Sequence, residues 1–285
     1  MTWVVLGANG QLGQELIQLL NSLKVEVVGI NQTQIDLAKP EQIYEKLAAL
    51  KPKVLVNCAA YTQVDKAEEE AELANVINGT SVGVIAQYAI DNFIPFVHIS
   101  TDYVFDGQSE FPYTELDQPN PQSVYGKSKL LGEEEVLRIN PTAYILRTAW
   151  VYGAYGNNFP KIIANKLRNN ETLKVVNDQI GSPTWTYDLA NAIFEVIQKR
   201  PKAGIYHTTN NEQCSWFDFA KQIARSINID ENNIQLTDSN SFKRPAPRPK
   251  FSVLNNEKWK NAGLTPLCSW DKAWGEAADS VLKNN

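Results

Sequence analysis

The chain has 285 residues, 43% of them hydrophobic and 21% charged, and carries a net charge of −5. That size and composition fit a globular protein with one large α/β domain, or a main domain and a smaller companion, and the acidic balance excludes a nucleic-acid surface. Three scattered cysteines (Cys58, Cys214, Cys268) and two histidines exclude a disulfide framework and argue against a zinc site.

Trp3 to Leu6 reads as a strand, Gln11 to Leu20 as a helix with Leu12, Leu16, Leu19 and Leu20 on one side, and Val25 to Ile30 as a second strand. A helix over Pro40 to Leu50, a strand at Val54 to Asn57 and a helix over about Ala71 to Asn92 follow. Phe96 to Ser100 is a fourth strand, Ser123 to Ile139 a helix and Ala143 to Thr148 a further strand. This alternation predicts an α/β fold with a doubly wound parallel sheet. After residue 150 the rhythm loosens, with helices at Asn158 to Arg168, Tyr187 to Gln198, Ser215 to Ser226 and Trp270 to Leu282. Gly204 to Thr208 reads as one more strand of the main sheet, and the proline-rich run from Arg244 to Pro249 as neither helix nor central strand. The expected division is a dinucleotide-binding domain over 1–150, with a returning strand and helix near 204–228. Residues 151–285 then form mainly a smaller, interleaved substrate-binding lobe. No apolar run approaches the length of a membrane span, and Met1-Thr2 leads straight into a strand without a signal peptide, so a cytoplasmic protein is expected.

Gly7, Gly10 and Gly13 stand in a GxxGxxG spacing between the first strand and first helix. Glycines there let the backbone approach a pyrophosphate, and the helix N-terminus favours its negative charge. At the end of the second strand, where an acid selects NAD and an arginine NADP, the chain has Asn31, which suits either. The cofactor is therefore NADPH or NADH. Asp36 and Leu37 follow closely enough to lie along an adenine. The small Ala59 and Ala60, after the third strand, leave room for a cofactor across the sheet edge.

Thr101 closes the fourth strand, where open parallel sheets hold their ligands, and its hydroxyl can hydrogen-bond a substrate carbonyl. Tyr125 and Lys129 stand one helical turn apart on the next helix. An ammonium beside a phenol is expected to lower the tyrosine pKa and make the hydroxyl a proton donor or acceptor near neutral pH. Residues 106–122, with three prolines, read as an exposed loop that covers the substrate.

GxxGxxG, the Ser100-Thr101 strand end and YxxxK, in this order, resemble the extended short-chain dehydrogenase/reductase superfamily. Within it, the run from Asn57 to Glu68 is similar to the dTDP-4-dehydrorhamnose reductases, as are Arg147 to Gly153, Gly156 to Phe159, Asn177 to Thr184, and Arg248-Pro249 with Ser252 and Leu254. The resemblance implies hydride delivery from a reduced nicotinamide to carbon 4 of a dTDP-linked 4-keto-6-deoxy sugar, giving dTDP-L-rhamnose. It implies that Tyr125 protonates the nascent alkoxide, Thr101 holds the carbonyl oxygen, and Lys129 binds the nicotinamide ribose. Gly10, Gln11, Leu12, Asp36, Leu37, Ala60, Tyr61 and Thr62 are implied to touch the cofactor, Asp102, Val64 and Trp150 the sugar, and Arg248 the diphosphate.

Some members of this family are described with a metal held by glutamates at a subunit interface. Glu15 matches one such position, but Tyr187 stands where a second glutamate is needed, so no metal is expected. A homodimer is left open. The enzymatic rivals are another nucleotide-sugar 4-reductase or a 4-epimerase. A 4,6-dehydratase is disfavoured because Tyr103 follows Asp102 where that chemistry uses a glutamate. A non-catalytic subunit resembling the regulatory subunit of methionine adenosyltransferase is the rival from another class.

Overall fold

The structure, a computed structural model, describes residues 2–283. Strand β1 (Trp3–Leu6) is buried on both faces, which is why it reads as an unbroken apolar run. Helix α1 (Gln11–Ser22) follows and buries Leu12, Leu16, Leu19 and Leu20. Then come β2 (Val27–Ile30), α2 (Ile43–Leu50), β3 (Val54–Asn57), short α3 (Val64–Ala67) and α4 (Ala71–Asn75), and α5 (Ser81–Asp91). Strand β4 (Phe96–Thr101), α6 (Val124–Ile139) and β5 (Tyr144–Thr148) complete the first half.

The second half holds β6 (Val151–Tyr152), α7 (Phe159–Arg168), β7 (Leu173–Val176), β8 (Ile180–Gly181) and β9 (Thr184–Trp185). It continues with α8 (Thr186–Lys199), β10 (Gly204–His207), β11 (Cys214–Ser215) and α9 (Trp216–Ser226). Strand β12 (Ile234–Thr237), α10 (Glu257–Asn261) and α11 (Trp270–Leu282) end it.

Six strands pair in the order β2-β1-β3-β4-β5-β10, all parallel, as the strand-helix alternation predicts. The strand order reverses at β1, so a crevice opens beyond its carboxyl end between β1 and β3. On one face α1 and α8 cover the sheet through Leu16, Leu20, Ile193 and Val196, joined by Trp259 of α10. On the other, α2 and α5 contribute Ile43, Leu47, Val82 and Ile85, with Val136 from α6. Each such fully buried aliphatic side chain contributes about 2 kcal/mol of transfer free energy. A third core gathers Tyr152, Phe219, Ile223, Trp274 and Val281 beyond the edge of the sheet.

Strand β10 returns to the main sheet beside β5, whereas α9 gives its buried residues to the third core and α8 gives its own to the sheet. The helix expected over 71–92 contains a π turn at Val76–Thr80. Glycines explain the close packing there: a Cβ on Gly79 would lie 2.4 Å from Leu131 Cδ2, and one on Gly132 would lie 2.1 Å from the Asn78 carbonyl oxygen. The extra residue of the π turn accompanies an inward-facing Asn78. The start of the helix expected from Pro40 is a 3₁₀ turn, Pro40–Gln42, whose first position tolerates the missing N–H of proline.

The loop after β4 is less free than its composition suggests. Tyr113 is buried, stacks on Phe105 at 4.2 Å, donates to Asp106 and pairs through its backbone with residues 253–255, while the large apolar Phe111 and Leu116 are exposed. Phe251 N–H reaches Gly107 O at 3.1 Å, and Ser252 N–H reaches Ile180 O at 2.8 Å. The segment after the prolines therefore ties this loop to the second lobe.

His207, at the end of β10, is fully buried and lies edge-on to Phe105. Its Nδ1 faces the Tyr113 carbonyl at 3.0 Å. Burial first, then Arg147, pushes its pKa down to about 3. A histidine depressed in the fold stabilises fully above its unfolded pKa near 6.5 and loses that contribution as pH falls toward the folded value. Between pH 6.5 and 5 the native chain should lose about 2 kcal/mol more than a His207→Gln variant. Denaturant titration at the two pH values measures this; parallel losses in both proteins would count against a neutral buried imidazole.

Candidate active site

The three glycines of the first turn serve three different needs. Gly7 sits at φ +80°, and a Cβ there would lie 2.7 Å from the Ala59 backbone nitrogen, so it lets the β1 and β3 ends close together. A Cβ on Gly13 would lie 2.2 Å from the Gly7 carbonyl oxygen, so it lets α1 press on the turn. Gly10 is exposed and precedes α1 without a side-chain cap or an acid in the first turn. The helix N-terminus is thus left for an anion, as a dinucleotide's pyrophosphate requires. Leu12 is core, so only its backbone can reach a cofactor. Gln11 crosses to the second lobe, where its Oε1 accepts from Asn158 Nδ2 at 3.0 Å.

Asn31 Oδ1 accepts from the N–H and hydroxyl of Thr33, so it shapes the turn after β2 and presents neither an acid nor a cation. Asp36 Oδ1 accepts from the Ala38 N–H, while Leu37 packs into the core with its carbonyl on Ser81. Ala59 and Ala60 are half-buried and Thr62 is exposed. Tyr61 is buried, and its hydroxyl donates to Glu70 at 2.6 Å, so its backbone rather than its phenol is available at the cleft. The loop is fixed by Asn78, which accepts from Tyr61 N–H at 2.8 Å and donates to Tyr61 O and to Ser128 Oγ. Ser128 in turn donates to the Tyr125 carbonyl. The cofactor edge and the catalytic helix are thereby one hydrogen-bonded unit. Together, the open glycine turn and this small-residue loop fit a dinucleotide.

Helix α6 starts where Ser123 accepts from the Gly126 N–H at 3.1 Å. A Cβ on Gly126 would lie 2.2 Å from Tyr103 O, so the helix presses against the turn that follows β4. This brings Tyr125 beside Thr101, whose hydroxyl is near enough to pull on the phenol's pKa. Thr101 Oγ1 donates to Asp102 Oδ1 at 2.9 Å and accepts from Tyr103 N–H at 3.2 Å. The one Thr101 proton is therefore directed at Asp102. A carbonyl arriving here competes for the Tyr125 proton directly, and for the Thr101 proton only by displacing Asp102.

The expected tuning of Tyr125 is corrected. Burial pushes its pKa up to about 12, with the nearby Thr101 hydroxyl pulling down and Asp102 pushing up. Lys129 is not among the groups that shift it, because its Nζ is drawn to Ile99 O and His98. Lys129 is buried, and its Nζ donates to Ile99 O at 2.6 Å and lies 3.3 Å from His98 Nε2. Burial lowers the Lys129 pKa to about 8, against the pull of Glu133 and Cys58. Tyr125 therefore stays a neutral phenol throughout the physiological range, which suits a proton donor.

Asp102 is buried, and burial raises its carboxyl to about 6 against the hydrogen bond from Thr101. Trp150 is half-buried at φ +48°, a costly conformation for a bulky residue, and stacks on Trp216 at 3.5 Å. A Cβ on Gly181 would lie 2.5 Å from its ring. The indole is thus both packed and held at a fixed angle. Val64 is half-buried at the start of α3. Its neighbour Asp65 takes Arg248 Nη2 at 2.9 Å and Arg244 Nη1 at 3.4 Å. Arg248 is thus paired with Asp65, and it lines a cavity of about 570 Å³ with Tyr103, Phe105, Gln122 and Lys250.

Glu15 accepts from Thr186 Oγ1 at 2.9 Å, and Tyr187 stacks near Trp185. Among the described residues no three His, Cys, Asp or Glu side chains gather as a metal group. Sequence reasoning missed His98, Asn78, Ser128 and the buried pair Glu133–Arg147. A lone polar residue inside an apolar strand or helix is a weak signal until its partner is known.

Residues 1–283 match the profile of a family described as the RmlD substrate binding domain. The chain is similar to a probable dTDP-4,6-dihydroxy-2-methyloxan-3-one 4-ketoreductase of Streptomyces antibioticus, 38% identical over 99% of this chain and 96% of the relative. It is similar to a crystal structure of a dTDP-4-dehydrorhamnose reductase of Clostridium acetobutylicum, with a TM-score of 0.94 and 41% identity over 99% of this chain and all 100% of that one. A third likeness is the dTDP-4-dehydrorhamnose reductase of Bacillus anthracis in complex with NADP: TM-score 0.93, 36% identity, 97% of this chain and 98% of that one.

Proposed function

This chain belongs to the RmlD substrate binding domain family, and we propose that it is an NAD(P)H-dependent oxidoreductase that reduces the 4-keto group of dTDP-4-dehydro-L-rhamnose to dTDP-L-rhamnose. One observation carries this reading: Tyr125, a neutral phenol, stands beside Thr101 at the carboxyl end of β4, on a helix that Asn78 and Ser128 tie to the small-residue loop next to the open glycine turn. A reduced nicotinamide, when bound, supplies the hydride. Tyr125 gives its proton to the oxygen as charge develops there, and Thr101 orients that oxygen. Lys129 serves the ribose hydroxyls through its remaining N–H bonds. Asp102, Val64 and Trp150 face the sugar, and the lobe after residue 150 holds the rest of the substrate. Arg248, preset by Asp65, meets the diphosphate.

A second reading, reduction of a different dTDP-4-keto sugar, is favoured by the Streptomyces antibioticus relative. The experiment supplies dTDP-4-dehydrorhamnose with NADPH or NADH and follows loss of absorbance of the reduced cofactor. Turnover with at least one cofactor is expected. No turnover of this sugar, alongside turnover of another dTDP-4-keto sugar, would favour the second reading. No turnover of any keto sugar, together with a stable hetero-complex, would favour a regulatory subunit. A cytoplasmic homodimer is our expectation for the assembly, to be checked by sedimentation.

A further inference from the structure

The polar groups behind Lys129 form a chain whose donor and acceptor roles can be assigned atom by atom. Asn57 Oδ1 accepts from the Ala59 backbone N–H at 3.1 Å, which fixes the amide's orientation. Its Nδ2 is therefore turned to His98 Nδ1, 3.1 Å away. An amide nitrogen only donates, so His98 Nδ1 is an acceptor. His98 is completely buried, and burial with Lys129 beside it holds the ring neutral. A neutral imidazole must carry its one proton on the other nitrogen. His98 Nε2–H thus points at Lys129 Nζ, 3.3 Å away. An ammonium has three donors and no lone pair, so it meets this N–H as donor against donor; a neutral amine accepts from it.

We propose that His98, locked by Asn57 with its proton on Nε2, is a positioning residue that favours the neutral amine form of Lys129 in the cofactor-free protein, and that cofactor binding tightens the lysine's hold on its proton. In the neutral form, the lone pair takes His98 Nε2–H, one N–H serves Ile99 O, and one N–H remains. A ribose offers two hydroxyl acceptors, which the ammonium satisfies better; this half of the inference rests on the cofactor reading above. The charged or titratable neighbours of Lys129 do not supply the switch themselves. Cys58, at the end of β3, is kept a thiol up to about 12, and Glu133, one turn along α6, is held by Arg147 of β5. His98 of β4 is neutral, and Tyr125 of α6 stays a phenol up to about 12.

The test is a direct titration of Lys129 without cofactor, by the ¹³Cε shift in lysine-labelled protein, with the resonance identified by its loss in Lys129→Met. The wild-type midpoint is expected at about pH 8. In His98→Gln the amide can turn its oxygen to the ammonium, and the midpoint should rise by about one pH unit. Asn57→Leu frees the imidazole to move its proton to Nδ1, and the midpoint should rise in the same direction. A wild-type midpoint at the ordinary lysine value of about 10.4, or one that both variants leave in place, overturns the proposal. If either variant fails to fold, the other decides. In the second arm, NADPH affinity should fall up to about tenfold per pH unit above pH 8 in the wild type, and the onset should move up in His98→Gln. Failure of NADPH to bind at any pH would sink the cofactor reading alone, because the titration without cofactor still decides the role of His98.

Discussion

Replacing Tyr125 by phenylalanine is expected to lower kcat by about 10³-fold while cofactor binding stays largely intact. On the proposed mechanism the hydroxyl meets the developing oxyanion, and its loss leaves Thr101 with a proton already directed at Asp102. The ring itself can stay where it is, edge-on to Tyr103 at 5.4 Å and against the cluster around Tyr61, so the helix and the cofactor edge should keep their places. Because burial pushes the phenol up to about 12, the donor persists as pH rises, and kcat should show no basic limb from Tyr125 below about pH 10. Single-turnover kinetics with bound reduced cofactor measure the effect. A phenylalanine enzyme with near-normal turnover would falsify Tyr125 as the proton donor.

The second large effect is structural. Glu133→Ala should destabilise the fold by about 3–5 kcal/mol, because it leaves the Arg147 guanidinium buried without its partner. In the native chain Arg147 Nε lies 2.9 Å from Glu133 Oε1 and Nη2 lies 2.6 Å from Oε2, both residues being almost completely buried. Ser100 donates to the same carboxylate, so the pair fastens α6 to the ends of β4 and β5 directly beneath the catalytic residues. The guanidinium also lies over the Phe105 ring at 5.0 Å. Urea unfolding at neutral pH gives the loss; a change under about 1 kcal/mol would mean that water reaches Arg147 once the carboxylate is gone. Replacing Glu133 and Arg147 together by apolar residues should be milder than Glu133→Ala alone, since no charge is then stranded.

The strands were legible because a parallel sheet covered on both faces needs apolar runs such as Val54–Val56 and Phe96–Val97, and these stand out from the amphipathic helices between them. The glycine turn was legible for a similar reason: Gly7 and Gly13 are required by approaches below 3 Å, a constraint visible as spacing alone. The helix cap at Ser123 and the Tyr125–Lys129 spacing were equally local. The state of the tyrosine was not. A spacing of four puts an amine on the same side of a helix as a phenol, but it cannot say that the amine is drawn to Ile99 O and His98 while burial dominates the phenol. The pairing of Arg248 with Asp65 was not legible because the two stand 183 positions apart in the chain.

Residue order by itself therefore determined the layered architecture, the place of the glycine turn and the phenol proposed to transfer the proton, all of which follow from periodicity and short-range stereochemistry. Folding alone decided which protons those groups carry. Protonation depends on burial and on partners brought in from distant strands, such as Asn57 and His98 against Lys129, and no pattern along one helix contains that information.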